Sequence, residues 1–141
     1  MAGSPKRKYD FETVQIGEAL ASYEYVMTQE MLENYRAAVD DPGADLPTIG
    51  VKHDTTAFEM VFDDDVGGVN AGAEVEFHNA PIIGKKIMVT SRISDKYWKR
   101  EKPYLVYEAT AIDEDGRLLE KMRTFEVKKP IVVKEKWWPQ S

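Results

Sequence analysis

The hydrophobic and polar positions change their period once along the chain. Residues 18–27, Glu-Ala-Leu-Ala-Ser-Tyr-Glu-Tyr-Val-Met after Gly17, carry the aromatic and branched side chains of a first strand. Met31, Leu32, Tyr35, Ala38 and Val39 then recur at helical spacing, which predicts a short amphipathic helix over 29–39. Thr28 stands at its N-cap position, and Glu30 and Glu33 favour the positive end of the helix dipole. Asp40-Asp41-Pro42-Gly43 ends it, because proline cannot continue the ladder. After a connection rich in Pro, Gly and Asp (42–54), a second helix begins with Asp54 or Thr55 as its cap. Phe58, Val61 and Phe62 share one face and Ala57 and Met60 widen it, which predicts a helix buried on most sides. Asp63-Asp64-Asp65 and Gly67-Gly68 terminate it.

From residue 72 the period becomes two. Val75 and Phe77 alternate with Glu74, Glu76 and His78 until Asn79-Ala80-Pro81 stops the run. Further strands are predicted over 85–97, 104–112 and 117–128, the last two joined through Asp113-Glu-Asp-Gly116, whose Asp-Gly supplies the positive φ a hairpin turn needs. Helices early and strands late make an α+β order, and an antiparallel sheet wrapped around a central apolar helix accommodates it.

Composition narrows the function classes. At 141 residues the chain is one domain's worth, long enough to bury roughly two-thirds of its unfolded surface. Having no cysteine, it cannot carry a disulfide, a thiolate metal site or a Cys nucleophile. A net charge of -6 argues against a general nucleic-acid binder. Met1–Lys8 is basic but runs into Tyr9-Asp-Phe-Glu12, and no stretch approaches the roughly 20 apolar residues that span a bilayer. The expectation is a cytoplasmic protein with neither nucleic-acid nor membrane partners. Its segment 1–9 is expected to be disordered, its domain to span 10–128, and its tail 129–141 to dock Trp137-Trp138 on the body or a partner. Two scattered histidines make no metal site, and Asp63-Asp64-Asp65 lacks calcium-ligand spacing.

Gly67-Gly68, Gly72-Ala-Glu-Val-Glu-Phe-His-Asn-Ala-Pro81, Gly84-Lys-Lys-Ile-Met-Val-Thr90, the Asp113–Gly116 turn and the closing strand Leu118–Val127 together resemble the MaoC-like dehydratases of the hot-dog fold, especially their N-terminal-type domain. With the first strand and helix, the resemblance covers about residues 10–128. It implies the chemistry of (R)-specific enoyl-CoA hydratases in fatty acid or steroid side-chain metabolism, with acyl-CoA as substrate and no bound cofactor. Hydratases of this family carry Gly-Asp-x-Asn-Pro-x-His after the first helix, where Asp and His activate water. This chain reads Val39-Asp40-Asp41-Pro42-Gly43-Ala44-Asp45: Asp40 matches the aspartate, Pro42 comes one residue early, and Asp45 stands where the histidine belongs. The family also opens its central helix with His-Gly, so that a backbone N–H polarises the thioester carbonyl. Here the pair is His53-Asp54, whose carboxylate would repel an oxyanion.

Both departures imply a subunit that shapes the acyl pocket while a second MaoC-like hot-dog subunit supplies the catalytic Asp and His. The resemblance makes Asp40 the candidate catalytic residue and His53, Asp54 and Phe58 substrate-binding candidates. Tyr97, Trp98, Lys99 and Arg100, in the basic hairpin 96–102, would hold the phosphates and adenine of coenzyme A, cations matching phosphate and aromatics the base. Each has a plainer reading: Asp40 as a helix-ending residue, His53 as a hydrogen-bonded loop residue, Phe58 as core, the hairpin as a solvated tip with packed aromatics. His78 reads as a surface or interface residue. Two other functions stay open, an acyl-CoA thioesterase using Asp40, Asp54 or Glu59, and a non-enzymatic acyl-CoA binding or assembly module.

Overall fold

A computed structural model describes residues 5–41, 43, 52–63 and 68–128. The chain begins with a two-residue strand, β1 (Arg7–Lys8), and Tyr9, Phe11 and Val14 behind it are buried. Tyr9 packs its ring on Phe58 and Phe62 at 5.8 Å each. The first expected strand contracts to β2 (Tyr23–Val26), upstream of which Ala19 makes only an isolated bridge to Arg92.

Helix α1 (Gln29–Ala38) starts where Thr28 predicts. The Thr28 hydroxyl accepts the Met31 N–H at 3.2 Å, and the Thr28 N–H reaches back to the Met31 thioether at 3.4 Å, a capping box closed by sulfur. At the other end Asp41 N–H donates to Arg36 O (3.0 Å) and Asp40 N–H to Ala37 O (3.3 Å), with Asp40 at φ 54. That is a Schellman stop with aspartate in the left-handed position glycine usually fills. Pro42, assigned the stop from sequence, lies outside the described residues; the helix is already closed ahead of it.

Helix α2 (His53–Val61) corrects the expected cap. Lys52 is its N-cap without any side-chain bond, and Asp54 and Thr55 belong to the first turn. Its inner face is His53, Asp54, Ala57 and Phe58; Met60 is 47% exposed and Val61 half-buried. The helix is thus amphipathic rather than buried on most sides, and Phe62 belongs to the next strand, β3 (Phe62–Asp63), which pairs in parallel with β1.

Four long strands complete the fold: β4 (Gly68–Phe77), β5 (Lys86–Lys99), β6 (Lys102–Asp113) and β7 (Leu118–Lys128). They join β2 in an antiparallel sheet ordered β2-β5-β6-β7-β4. The β6–β7 turn uses Gly116 at φ 81, with its N–H on Asp113 O at 3.0 Å. Burial tends to raise the Asp113 carboxyl, but the N–H groups of Arg117 and Asp115 and the Arg117 guanidinium more than offset it and hold the group below its usual range. At the opposite end, Arg100 (φ 52) and Glu101 (φ 64) turn β5 into β6.

The sheet's inner face packs on α2. Ile93, Leu105 and Tyr107 meet Phe58 and Phe62, with the Phe58 and Tyr107 rings 4.9 Å apart. A second cluster, Met27, Ile87, Val89, Ala109, Ala111, Leu119 and Met122, is covered by Met31, Leu32 and Tyr35 of α1. The outer face carries a charge ladder across four strands, Arg92 to Glu108 at 3.4 Å, Arg123 to Glu108 at 3.6 Å and Arg123 to Glu74 at 3.5 Å.

Candidate functional site

Alternation along β7 sends Glu120, Met122, Thr124, Glu126 and Lys128 to the face beneath α2, because their partners across β6 include Ala111, Ala109 and Tyr107 of the core. A face that should be apolar is therefore mostly polar. Burying such groups is costly unless they are paired, so each demands a partner from the helix above.

His53, the first residue of α2, supplies one. Its Nδ1 lies 2.8 Å from Glu120 Oε1 and its Nε2 2.6 Å from the Tyr25 hydroxyl, while its carbonyl accepts the Tyr23 hydroxyl at 3.3 Å. His53 is 2% exposed and Glu120 0%, and the second Glu120 oxygen, Oε2, is buried without a hydrogen-bond partner among the described residues. With Glu120 ionised, which leaves it only an acceptor, Nδ1 carries the proton of that bond. Nε2 then accepts from Tyr25 in a neutral ring and donates to it in an imidazolium. Burial, with the nearby Tyr23 and Glu120, pushes the Tyr25 phenol well up, and burial raises Tyr23 to about 12. Both hydroxyls stay protonated at neutral pH.

Asp54 supplies the next pairing. Its Oδ2 accepts the Thr124 hydroxyl at 2.6 Å and its Oδ1 the Thr55 N–H at 2.7 Å. Burial pushes its carboxyl up, against the opposing pull of these donors. Thr56 N–H makes the first ordinary helical bond, to Lys52 O at 2.8 Å, so the Thr55 amide is the otherwise unpaired first-turn donor that Asp54 engages. Farther along β7, the Tyr107 hydroxyl donates to Glu126, whose other oxygen pairs with Lys128 Nζ at 3.0 Å, and that ammonium lies 4.7 Å from the Phe58 ring centre.

The remaining predicted site residues fall elsewhere. Asp40 is exposed at the end of α1, and Glu59 is exposed on α2. Phe58 is 1% exposed and packed among rings. Tyr97 stacks on Tyr104 at 5.2 Å, and Trp98, half-exposed, sets its edge on Phe11 at 5.2 Å, where Lys96 Nζ also donates to Phe11 O at 2.9 Å. Lys99 and Arg100 are exposed at the hairpin tip. The register sets Tyr97 opposite Tyr104 and Tyr104 opposite Val127, at the far end of β7 from Glu120. At a strand's rise that is about 23 Å. Within one chain the hairpin residues and His53 therefore do not converge. His78 is exposed, 3.4 Å from Glu76. Asp45, Asp64, Asp65, Gly67, Trp137 and Trp138 lie outside the described residues.

Glu120, Tyr25, Tyr23 and Thr124 were not singled out by sequence. The available signal was phase: Glu120 and Thr124 alternate in step with Met122, so a carboxylate and a hydroxyl share a face with a core side chain. Among the described residues, no group of three His, Cys, Asp or Glu could hold a metal ion, and no helix is long and apolar enough to cross a membrane.

No protein-family profile matches the sequence, and no curated protein does. Solved structures do match in shape. The monoamine oxidase regulatory protein from Archaeoglobus fulgius aligns with a TM-score of 0.71 at 15% identity, over 86% of this chain and 95% of that one. The (R)-hydratase PhaJ1 from Pseudomonas aeruginosa aligns with a TM-score of 0.66 at 12% identity, over 84% of each chain. The HadBC (3R)-hydroxyacyl-ACP dehydratase complex from Mycobacterium tuberculosis aligns with a TM-score of 0.58 at 17% identity, over 79% of this chain and 97% of that one. At these identities the likeness carries the fold alone. An antiparallel sheet curled against one central helix, matched across most of the chain by hydratase and dehydratase structures, makes this an α+β protein of the hot-dog fold.

Proposed function

We propose that the chain is one half of a two-hot-dog enoyl-thioester hydratase or dehydratase, shaping the acyl-CoA pocket while a second MaoC-like subunit brings the water-activating Asp and His. The observation that carries this reading is the state of the α2 N-terminus. In a catalytic half that first turn would offer free amides to the thioester oxygen. Here the Asp54 carboxylate sits against it, bonded to Thr55 N–H, and Asp40 serves as a helix stop. The hydratase and dehydratase folds among its structural neighbours, one of them a complex, support the same reading.

A second subunit has an edge to pair with. β4 closes one side of the sheet, ten residues long, with exposed Val69 and Phe77. An edge of that length, without a further strand beside it among the described residues and with apolar side chains, suits strand-to-strand association.

The test is hydration of crotonyl-CoA by the pure chain, by a hot-dog subunit carrying intact Asp-x-Asn-Pro-x-His and encoded beside it, and by the mixture. Activity confined to the mixture or strongly raised in it is expected. Robust hydration by this chain alone overturns the reading, and steady thiol release by this chain alone replaces it with thioester hydrolysis.

A further inference from the structure

We infer that Tyr25, His53 and Glu120 form a proton relay that ends at the Tyr25 hydroxyl and gives this subunit an acid–base group of its own for the acyl thioester. The substrate class rests on the function proposed above; the relay rests on geometry. Three side chains from three elements, β2, α2 and β7, meet in one line through both nitrogens of a single imidazole, at 2.6 and 2.8 Å.

Glu120 is enclosed, and among the described residues His53 is the one side chain bonded to it. A buried carboxylate with a free oxygen is expensive unless a cation compensates it, which favours a second proton on the ring. The other ionisable groups at this level are the phenols of Tyr23 and Tyr25 on β2 and Asp54 on α2, while β6 contributes Ala109 and Ala111. None of these is a cation, so the Glu120 carboxylate is what favours the imidazolium and burial is what opposes it. With Nε2–H donating to the Tyr25 oxygen, the Tyr25 proton is released to point away from the ring. Tyr25 is half-buried rather than enclosed, so the relay runs from the interior outward.

The step balances. Water adding to an enoyl thioester leaves an enolate, whose oxygen takes the Tyr25 proton as the phenol O–H bond breaks. The Nε2 proton passes to the phenol oxygen in the same stroke, and Glu120 remains a carboxylate on Nδ1–H. When the partner's acid protonates the α carbon, the enol returns its proton to Tyr25 and Tyr25 returns one to Nε2. The relay ends as it began.

The experiment uses Tyr25→Phe and Glu120→Gln, each mixed with the partner subunit and assayed on crotonyl-CoA, together with the NMR chemical shifts of the His53 ring nitrogens in the isolated chain at neutral pH. Tyr25→Phe is expected to lower kcat by about 10²-fold or more with little change in KM, as loss of a general acid does. It removes one oxygen from a half-buried ring, so folding is retained. Glu120→Gln is expected to move the His53 Nε2 chemical shift from the protonated toward the unprotonated position. Full kcat in the Tyr25→Phe mixture overturns the relay, and so do His53 ring-nitrogen shifts that Glu120→Gln leaves in place. If the wild-type mixture does not hydrate crotonyl-CoA while the His53 ring nitrogens respond to Glu120→Gln, the shared-pocket reading has failed, and the relay's role in that reaction is overturned with it.

Discussion

A carboxyl group under the first turn of a helix is drawn two ways, and Asp54 feels both. The amide of Thr55 and the hydroxyl of Thr124 favour its charge, whereas burial opposes it, and burial prevails. A folded pKa above the ordinary 3.8 means the folded state holds the proton longer than the unfolded chain. The stability this group contributes is complete below that ordinary value and is lost as pH rises through the folded pKa. Asp54→Asn removes the dependence. Its melting temperature relative to wild type is expected to become more favourable as pH rises above about 4, as thermal unfolding at several pH values from there to neutral will show. A gap that stays constant across that range would contradict the assignment. At this scale the sequence exposed the departure itself, an aspartate where the resemblance expects glycine. It could not expose that Thr124, seventy residues away, supplies the donor.

Among the elements, the β5–β6 hairpin is the one whose sequence and geometry disagree. Both turn residues, Arg100 and Glu101, sit at positive φ, where L side chains are strained and Asn-Gly is preferred. Replacing them with Asn and Gly should raise stability by about 1 kcal/mol, read from denaturant midpoints at unchanged slope. The same experiment addresses coenzyme A: if Arg100 grips a phosphate, the replacement weakens CoA-thioester binding by the complex. Helix α1 and the Asp113–Gly116 turn were legible because local chemistry decides them, through a capping threonine and an Asp-Gly pair. The two-residue strands β1 and β3 were not, since each exists only through the other. Helix α2 began earlier than expected because His53 and Asp54 are held in its first turn by β2 and β7 rather than by any capping signal.

For the molecule as a whole, the question is which edge meets a partner. Phe77 is 55% exposed at the end of β4 and lies opposite Glu120 across the β4–β7 ladder. A subunit that pairs along β4 would cover it. Phe77→Lys is therefore expected to weaken association with the catalytic partner at least about tenfold, measured by sedimentation or calorimetry. The melting temperature of the isolated chain should stay nearly unchanged, because an exposed side chain contributes little to the fold. Unaltered affinity would move the interface away from this edge. The outer charge ladder is solvated, and its exposed pairs contribute little to stability.

The sequence by itself determined the class of fold, the succession of the long strands along the chain, the first helix with its cap, and the absence of cysteine chemistry. Those properties follow from periodicity, turn residues and composition, which act over a few neighbouring positions. The tertiary structure alone decided the site. Tyr25, His53 and Glu120 are separated by 28 and 67 residues, and only the curl of the sheet around α2 brings their polar atoms within hydrogen-bond distance. It also separated what the sequence had grouped, since a basic hairpin and a buried histidine at opposite ends of the sheet cannot grip one end of one ligand within a single chain.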